Sequence, residues 1–263
     1  MKKVIAVLAI FLILEITTPA QATKDDVVVR VLTFNILHGA TTKGDFDLDK
    51  IASVIKNADP DLVALQEVDF KTNRAKKYDL ATELGWRTKM APLFGKAMDY
   101  DGGAYGEGVL SRLPITSSRN IPLPHSKGNE PRAALEITVE LESGEKISFI
   151  GTHLEHQRES TDRVAQVKKI NEVFLSNQYP TILAGDLNDL PDSEPISILK
   201  RHWKDASGKD GKATFPSDKP TKRIDYVFYR PMNRWEVVKA EVICDSIASD
   251  HCAVLSVLKL ISL

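Results

Sequence analysis

Apolar positions along the chain follow two spacings, one typical of strands and one typical of helices. Short apolar runs separated by Gly, Pro, Asn and Asp predict strands at 27–36, 61–68, 133–139, 146–152, 181–184, 223–228, 235–243 and 253–260. Apolar residues three and four positions apart predict two helices, one that begins after Asp47 and one that begins at Ser160 or Thr161 and ends near Asn177. Because strands outnumber helices and occur throughout, the pattern predicts one α/β domain with extensive sheet.

A glycine-rich segment interrupts this pattern between 94 and 108. Its glycines and the lack of a long apolar run predict a long loop. Tyr100 and Tyr105 lie within it, and an aromatic side chain on such a loop is either a substrate contact or an ordinary surface residue. Tyr105 is taken as a candidate substrate-binding residue.

The N-terminus has the pattern of a secretory signal. Lys2 and Lys3 precede an apolar run from 4 to 14, and Ala20-Gln21-Ala22 provides the small residues of a cleavage site. A membrane-spanning helix needs about 20 apolar residues, and this run ends at Glu15, which disfavours the alternative of an uncleaved anchor. The sequence therefore predicts a signal peptide at 1–22, a mature domain at 23–263, and a secreted or periplasmic protein.

Composition narrows the possible partners without naming a function. The chain has 35 Lys and Arg against 36 Asp and Glu, so no global positive field attracts nucleic acid or anionic lipid, and any such attraction must be local. The two cysteines, Cys244 and Cys252, are too few for a disulfide scaffold or a cysteine-based zinc site. In an oxidising compartment they form a bridge if their segments pair antiparallel, and otherwise they are free thiols; the sequence leaves both open.

Polar residues at the ends of the predicted strands supply the candidate chemistry. One such residue alone is usually solvated or caps an element, but carboxylate, amide or imidazole groups recur in six segments, at 33–35, 65–67, 151–153, 184–188, 223–226 and 249–251. Oxygen donors such as those of Glu67 and Asn35 suit Mg²⁺ or Mn²⁺. No H-E-x-x-H helix points to a zinc hydrolase, and no Gly-x-Ser-x-Gly turn points to a serine hydrolase.

From about Arg30 to Leu258 the sequence resembles the endonuclease/exonuclease/phosphatase family of metal-dependent phosphoesterases. The resemblance rests on the segments Leu65-Gln66-Glu67-Val68, Gly185-Asp186-Leu187-Asn188 and Ser249-Asp250-His251, with support from 108–112 and 223–226. It implies a deoxyribonuclease-like α/β fold: a four-layer sandwich of two packed mixed β-sheets flanked by helices. The active site is then expected at one end, where loops of both sheets meet.

The resemblance also implies a role for each matching residue. Metal ligands are expected at Glu67, with Asn35 assisting, and at Asp250. Catalytic roles are expected for residues that contact phosphate, orient or deprotonate water, or hold an imidazole: His153, Asp186, Asn188, Asp225 and His251. Whether Asp186 or His251 is the base, and whether one metal or two act, stays open.

Two residues narrow the range of substrates that the resemblance implies. His153 stands where abasic-site endonucleases of this family resemble one another in having Tyr, which favours the deoxyribonuclease-like, sphingomyelinase-like and phosphatase branches. Arg74 follows the Glu67 strand closely enough to bind a phosphate or acidic group, although a surface arginine in a basic stretch is equally compatible with the sequence.

These observations together predict a secreted, Mg²⁺- or Mn²⁺-dependent hydrolase of phosphate esters. A phosphodiesterase acting on nucleic acid or a related phosphodiester is favoured. The alternatives are a phospholipid or sphingomyelin phosphodiesterase, an inositol-type phosphatase and, more distantly, a non-catalytic binding module on the same fold. The phosphate ester is the only partner that the sequence implies, and a monomer without an obligate protein partner is expected.

Overall fold

The computed structural model describes residues 27–208 and 211–261, and the predicted signal peptide lies outside them. No helix in those two ranges is long and apolar enough to cross a membrane. The elements in chain order are β1 (Val27–Asn35), α1 (Leu48–Ala58), β2 (Leu62–Phe70), α2 (Leu80–Thr88), β3 (Ala91–Tyr100), β4 (Gly103–Ser111), β5 (Ile115–Leu123), β6 (Arg132–Glu140), β7 (Lys146–His153), α3 (Thr161–Phe174), β8 (Thr181–Asp186), α4 (Glu194–Lys200), β9 (Lys204–Asp205), β10 (Asp225–Arg230), β11 (Trp235–Ile243) and β12 (Ala253–Leu260).

The strands form two mixed six-stranded sheets. The first has the order β11-β12-β1-β2-β4-β3 and the second β5-β6-β7-β8-β10-β9. Within each sheet one pair is parallel, β1 with β2 and β7 with β8, and the other pairs are antiparallel. The carboxyl ends of β1, β2, β7 and β8 are the starting points of the site.

Successive side chains of each strand point to opposite faces of the sheet, and this alternation forms the layers of the sandwich. In β1, Val31 points into the core between the sheets, where it joins side chains such as Phe149, while Leu32 points outward to meet Ile51 of α1. Helices α3 and α4 cover the outer face of the second sheet in the same way, through residues such as Val167. The predicted four-layer α/β sandwich is confirmed.

The predicted helix after Asp47 is also confirmed, because the Asp47 side chain accepts hydrogen bonds from the first backbone N–H groups of α1. The predicted long loop at 94–108 is wrong, since this segment forms most of the β3–β4 hairpin. Its glycines serve close strand packing: a Cβ at Gly106 would clash with the carbonyl oxygen of Gly95 on the neighbouring strand.

The two cysteines form a disulfide. Ile243 at the end of β11 pairs antiparallel with Ala253 at the start of β12, which brings the Cα atoms of Cys244 and Cys252 to 4.3 Å. Of the two states that the sequence left open, the structure has the bridge. It closes the loop that contains Asp250 and His251.

Candidate active site

Strand ends from both sheets place the candidate residues at one end of the sandwich. Asn35 is the last residue of β1, and His153 and Asp186 are the last residues of β7 and β8. Asp225 is the first residue of β10, and because β10 is antiparallel to β8 it lies directly opposite Asp186. His251 precedes β12 of the first sheet. The site therefore exists only when the two sheets are packed together.

Glu67 reaches the site through an irregularity in β2. The pairing of β2 with β4 shifts between Leu65 and Val68, and Glu67 within this bulge has a φ of 58°. A non-glycine residue in this left-handed region costs on the order of 1 kcal/mol, and such strain is concentrated at functional sites. The bulge leaves Gln66 buried and the Glu67 side chain 24% exposed to the cavity.

Three neighbours, two of them hydrogen-bonded to it, keep the Glu67 carboxylate ionised. Asn35 Nδ2 donates to one oxygen at 3.3 Å, and His38 Nδ1 lies 3.3 Å from the other. Burial raises the pKa of Glu67, but His38, the charge of His153 and Asn35 together lower it to about 2. Asp250 is partly exposed, and burial together with the charge of Glu67 raises its pKa.

Asp186 lies at the centre of the floor of the site and is 1% exposed. One of its oxygens, Oδ2, lies 3.4 Å from His153 Nε2 and 3.6 Å from His251 Nε2, and accepts from Asn35 Nδ2 at 3.2 Å. Its other oxygen accepts the backbone N–H of Asn188 at 2.9 Å. Burial raises the pKa of Asp186, but the two histidines lower it well below its usual range.

His251 is held between two carboxylates. Its Nδ1 lies 3.2 and 3.1 Å from the two oxygens of Asp225, and its ring rests against Phe215 at a centroid distance of 4.8 Å. Burial lowers the pKa of His251, but Asp225 and Asp186 raise it to about 10. The ring is therefore an imidazolium that directs Nε2–H toward Asp186, with its orientation fixed by Asp225.

A buried arginine that the sequence analysis missed orients the other histidine. Arg132, at the start of β6, is 2% exposed and donates through Nη1 to His153 Nδ1 at 3.1 Å and to the Tyr105 hydroxyl at 3.3 Å. The other ring nitrogen, Nε2, lies 3.4 Å from Asp186 Oδ2 and 2.9 Å from the Asn188 amide Nδ2. The sequence feature that could have identified Arg132 is its position as a charged residue directly before an apolar predicted strand.

Glu107 on β4 is a second residue that was missed. It is fully buried, and neither carboxylate oxygen has a hydrogen-bond partner among the described residues. Burial raises its pKa to about 8, against the opposing charge of Arg132. In the sequence, Glu107 is recognisable only as a lone carboxylate among glycines. The glycines predict a loop at 94–108, and on a loop such a carboxylate would be solvated.

The floor opens into a cavity of about 310 Å³. Both predicted substrate contacts line it, although Arg74 is less free than expected, because its Nε and Nη2 donate to Asp69 at 2.7 and 2.9 Å. Tyr105 is nearly buried. The lining residues are His38, Glu67, Arg74, Met98, Tyr100, Tyr105, Glu130, Arg132, His153, His156, Asp186 and Asn188.

Two groups of side chains offer ligands for a divalent cation. Glu67 presents its carboxylate to the cavity, and Asp250 is close enough for the charge of Glu67 to raise its pKa, so the two carboxylates together suit a hard cation. Asn35 turns its Nδ2 to Glu67 and its Oδ1 to the backbone N–H of Leu37, so it positions the Glu67 carboxylate.

The second group is buried. One ligand atom each from Asp186, Asp225 and His251 lie within 4.8 Å of one another. In this group the imidazolium already stands between the two carboxylates and balances their charge. The Glu67 side therefore fits a hard divalent cation better, since the ionised Glu67 carboxylate faces the open cavity.

Comparison with known proteins decides the family. A model described as the Endonuclease/Exonuclease/phosphatase family matches residues 32–251. The chain belongs to the endonuclease/exonuclease/phosphatase family. This confirms the predicted resemblance; the family consists of phosphoesterases that depend on divalent metals, and the buried Asp186, Asp225 and His251 are present in this member.

Individual relatives agree with this assignment. YbhP of Escherichia coli (strain K12), which is described as uncharacterized, is 27% identical over 220 residues, covering 76% of this chain and 84% of YbhP. The structure of an endonuclease/exonuclease/phosphatase from Beutenbergia cavernae DSM 12333 superimposes with a TM-score of 0.71 and 25% identity, covering 89% of this chain and 72% of that one. A mannosyl-6-phosphatase from Bacteroides thetaiotaomicron VPI-5482 shares the fold, with a TM-score of 0.69, 18% identity, and coverage of 88% and 99%.

Proposed function

We propose that the protein is a secreted, Mg²⁺- or Mn²⁺-dependent phosphodiesterase that cleaves a P–O bond of nucleic acid or a related phosphodiester by direct attack of water. The observation that carries the proposal is the convergence of two imidazole Nε2 atoms, from His153 and His251, on the single carboxylate of Asp186. A hydrolase of anionic esters needs hydrogen-bond donors for the phosphoryl oxygens beside an acceptor for the proton of water.

Each floor residue has a role in this proposal. His251 Nε2–H donates to a phosphoryl oxygen, and His153 and the Asn188 amide, whose Nδ2 lies 2.9 Å from His153 Nε2, contact the same phosphate. Asp186 orients the attacking water and accepts its proton once the two imidazoles, which lower its pKa, turn from it to the phosphoryl oxygens. Asp225 keeps the His251 ring in place.

A divalent cation held by Glu67 and Asp250, with Asn35 positioning Glu67, would neutralise charge on the phosphate.

Two independent features support the proposal that the protein is secreted. The N-terminal sequence has the pattern of a signal peptide, and the disulfide between Cys244 and Cys252 is a bond that persists in oxidising compartments. A secreted or periplasmic monomer is the state that we propose.

The experiment is nicking of supercoiled plasmid by the purified mature protein in Mg²⁺ or Mn²⁺, with EDTA and the His251→Ala variant as controls. Nicking by the wild type alone, abolished by EDTA, supports the proposal. Nicking that is equal in the variant does not come from this site and contradicts the proposal.

If no nicking occurs, the nucleic-acid part of the proposal fails. Release of phosphate from sugar or inositol phosphates would then move the protein to the monoesterases, and release of phosphocholine from sphingomyelin vesicles would move it to the lipid phosphodiesterases. Failure on all three substrate classes would favour the non-catalytic binding module.

A further inference from the structure

Two planar side chains that stack on each other form one wall of the cavity, and neither takes part in the proposed chemistry. The guanidinium carbon of Arg74 lies 4.6 Å from the centre of the Tyr100 ring and 5.7 Å from that of Tyr105. Tyr100 is 38% exposed, so its ring is available to a ligand. We refer to Tyr100 and Arg74 as the platform.

The platform is rigidly held from behind. The buried Asp69 carboxylate accepts two hydrogen bonds from the Arg74 guanidinium, which fixes its plane. At the tip of the β3–β4 hairpin, Asp101 accepts the backbone N–H of Arg74 at 2.7 Å and the Asn73 amide at 3.1 Å. These bonds join the loop after β2 to the hairpin that carries Tyr100, so the ring and the guanidinium are positioned before any ligand binds.

Charge and shape indicate what such a platform binds. Asp69 balances the charge of Arg74, so the platform offers a planar face and the remaining Nη1 group, which has no partner among the described residues. On the same loop, Lys71 and Lys76 lie over the rings of Phe70 and Phe46, and Lys77 donates to the carbonyl oxygen of Gly102. In a chain with a net charge of -1, these three lysines place positive charge on the loop that carries Arg74.

A planar, hydrogen-bonding ring with phosphates on either side matches this surface. A nucleobase stacks on aromatic and guanidinium faces regardless of its identity, and the lysines of the same loop add a longer-range attraction for its phosphates. An acyl chain would instead cover the guanidinium without replacing its hydrogen bonds to water. The cavity, at about 310 Å³, lies at the small end of ligand sites, which suits one nucleotide unit better than a duplex.

We infer that Tyr100 and Arg74 form a base-stacking subsite for the nucleotide next to the phosphate that the floor binds. The inference rests on the proposed function for the position of that phosphate. It narrows the substrate class to single-stranded nucleic acid or nucleotide esters, and Tyr100 becomes a residue that determines specificity.

Calorimetric binding in Mg²⁺ tests the subsite without turnover. In the His251→Ala background, thymidine 5′-phosphate is compared with methyl phosphate, which has the same charged group and no base. We expect thymidine 5′-phosphate to bind about tenfold more tightly, as one stacked base provides. Tyr100→Ala should remove this advantage and Tyr100→Phe should keep it, since the ring remains. Arg74→Lys, which keeps the charge but loses the planar face, should reduce it.

Trp86→Ala is the matched control, because Trp86 is a 76% exposed aromatic residue on α2 that does not line the cavity. In this variant, thymidine 5′-phosphate should bind more tightly than methyl phosphate by the same factor as in the His251→Ala protein. Thymidine 5′-phosphate that binds no better than methyl phosphate, or an advantage that survives Tyr100→Ala, would overturn the inference even if the plasmid is nicked. Conversely, a Tyr100-dependent advantage in a protein that nicks no plasmid would leave the subsite standing and remove duplex DNA from the proposed substrates.

Discussion

The floor and the wall of the cavity are built in opposite ways. On the floor, Asp186, Asp225 and His251 are almost completely buried and come from strand ends of both sheets, so each makes contacts that depend on the packing of the whole domain. On the wall, Arg74 and Tyr100 come from neighbouring segments of the first sheet and are partly exposed. The two regions share one cavity but depend on different parts of the chain.

Under the proposed function, this difference separates the residues that act on the phosphate from those that recognise the rest of the substrate. Groups that donate to or accept from a reacting phosphate must be held in a fixed, water-poor position, which the packed sheets provide. A surface that recognises the rest of the substrate can change its side chains without disturbing the core. Substitutions on the floor are therefore expected to affect every substrate, and substitutions on the wall only those that have the recognised group.

The largest effect is expected from His251→Ala. Loss of the imidazolium beside Asp186 should lower kcat about a thousandfold, which is the range for removing a proton donor and an electrostatic contact. Steady-state hydrolysis of bis(p-nitrophenyl) phosphate measures it, and circular dichroism checks the fold. His202→Ala, at an exposed histidine, is the control. A folded variant with normal turnover would remove His251 from the reaction.

A smaller and rescuable effect is expected from Glu67→Gln. Without its charge, Glu67 holds the cation more weakly, so kcat/KM should fall about a hundredfold at low Mg²⁺ and recover in part as Mg²⁺ is raised. A Mg²⁺ titration of the hydrolysis rate measures this. Glu142→Gln, at an exposed carboxylate, should behave as the wild type. An unchanged Mg²⁺ dependence in Glu67→Gln would place the cation elsewhere.

The smallest catalytic effect is expected from removing the disulfide. Replacing Cys244 and Cys252 by Ala opens a loop with a sequence separation of 8 residues, which should lower the free energy of unfolding by about 2 to 3 kcal/mol. Thermal unfolding of the variant and of the reduced wild type should give the same lowered Tm. Because Asp250 and His251 lie in this loop, turnover should also fall a few fold. A Tm that reduction leaves unchanged would show that the disulfide contributes no stability.

The floor could be predicted from sequence because its residues follow apolar strands in short recognisable segments. Glu67, Asp186 and His251 each stand in such a segment, and the fold then brings them together. Arg132 and Glu107 were missed because they lie at the head or in the middle of strands, where a charge is buried only through contacts that the sequence does not reveal.

The wall was predicted less well. The glycines at 94–108 indicated a loop, whereas they allow close strand packing in a hairpin, so the position of Tyr100 beside Arg74 was not visible. The partner of Arg74 was hidden for a similar reason, since the bond to Asp69 depends on how the chain turns after β2. Contacts between segments, rather than local patterns, determine this part of the site.

The most direct test of the division between floor and wall is the ratio of kcat/KM for two p-nitrophenyl esters, one of thymidine 5′-phosphate and one of methyl phosphate. Both release the same leaving group, and only the first contains a base. His251→Ala should lower both values by a similar factor and keep the ratio, whereas Tyr100→Ala should lower the ratio about tenfold. A ratio that changes in His251→Ala and not in Tyr100→Ala would contradict the account.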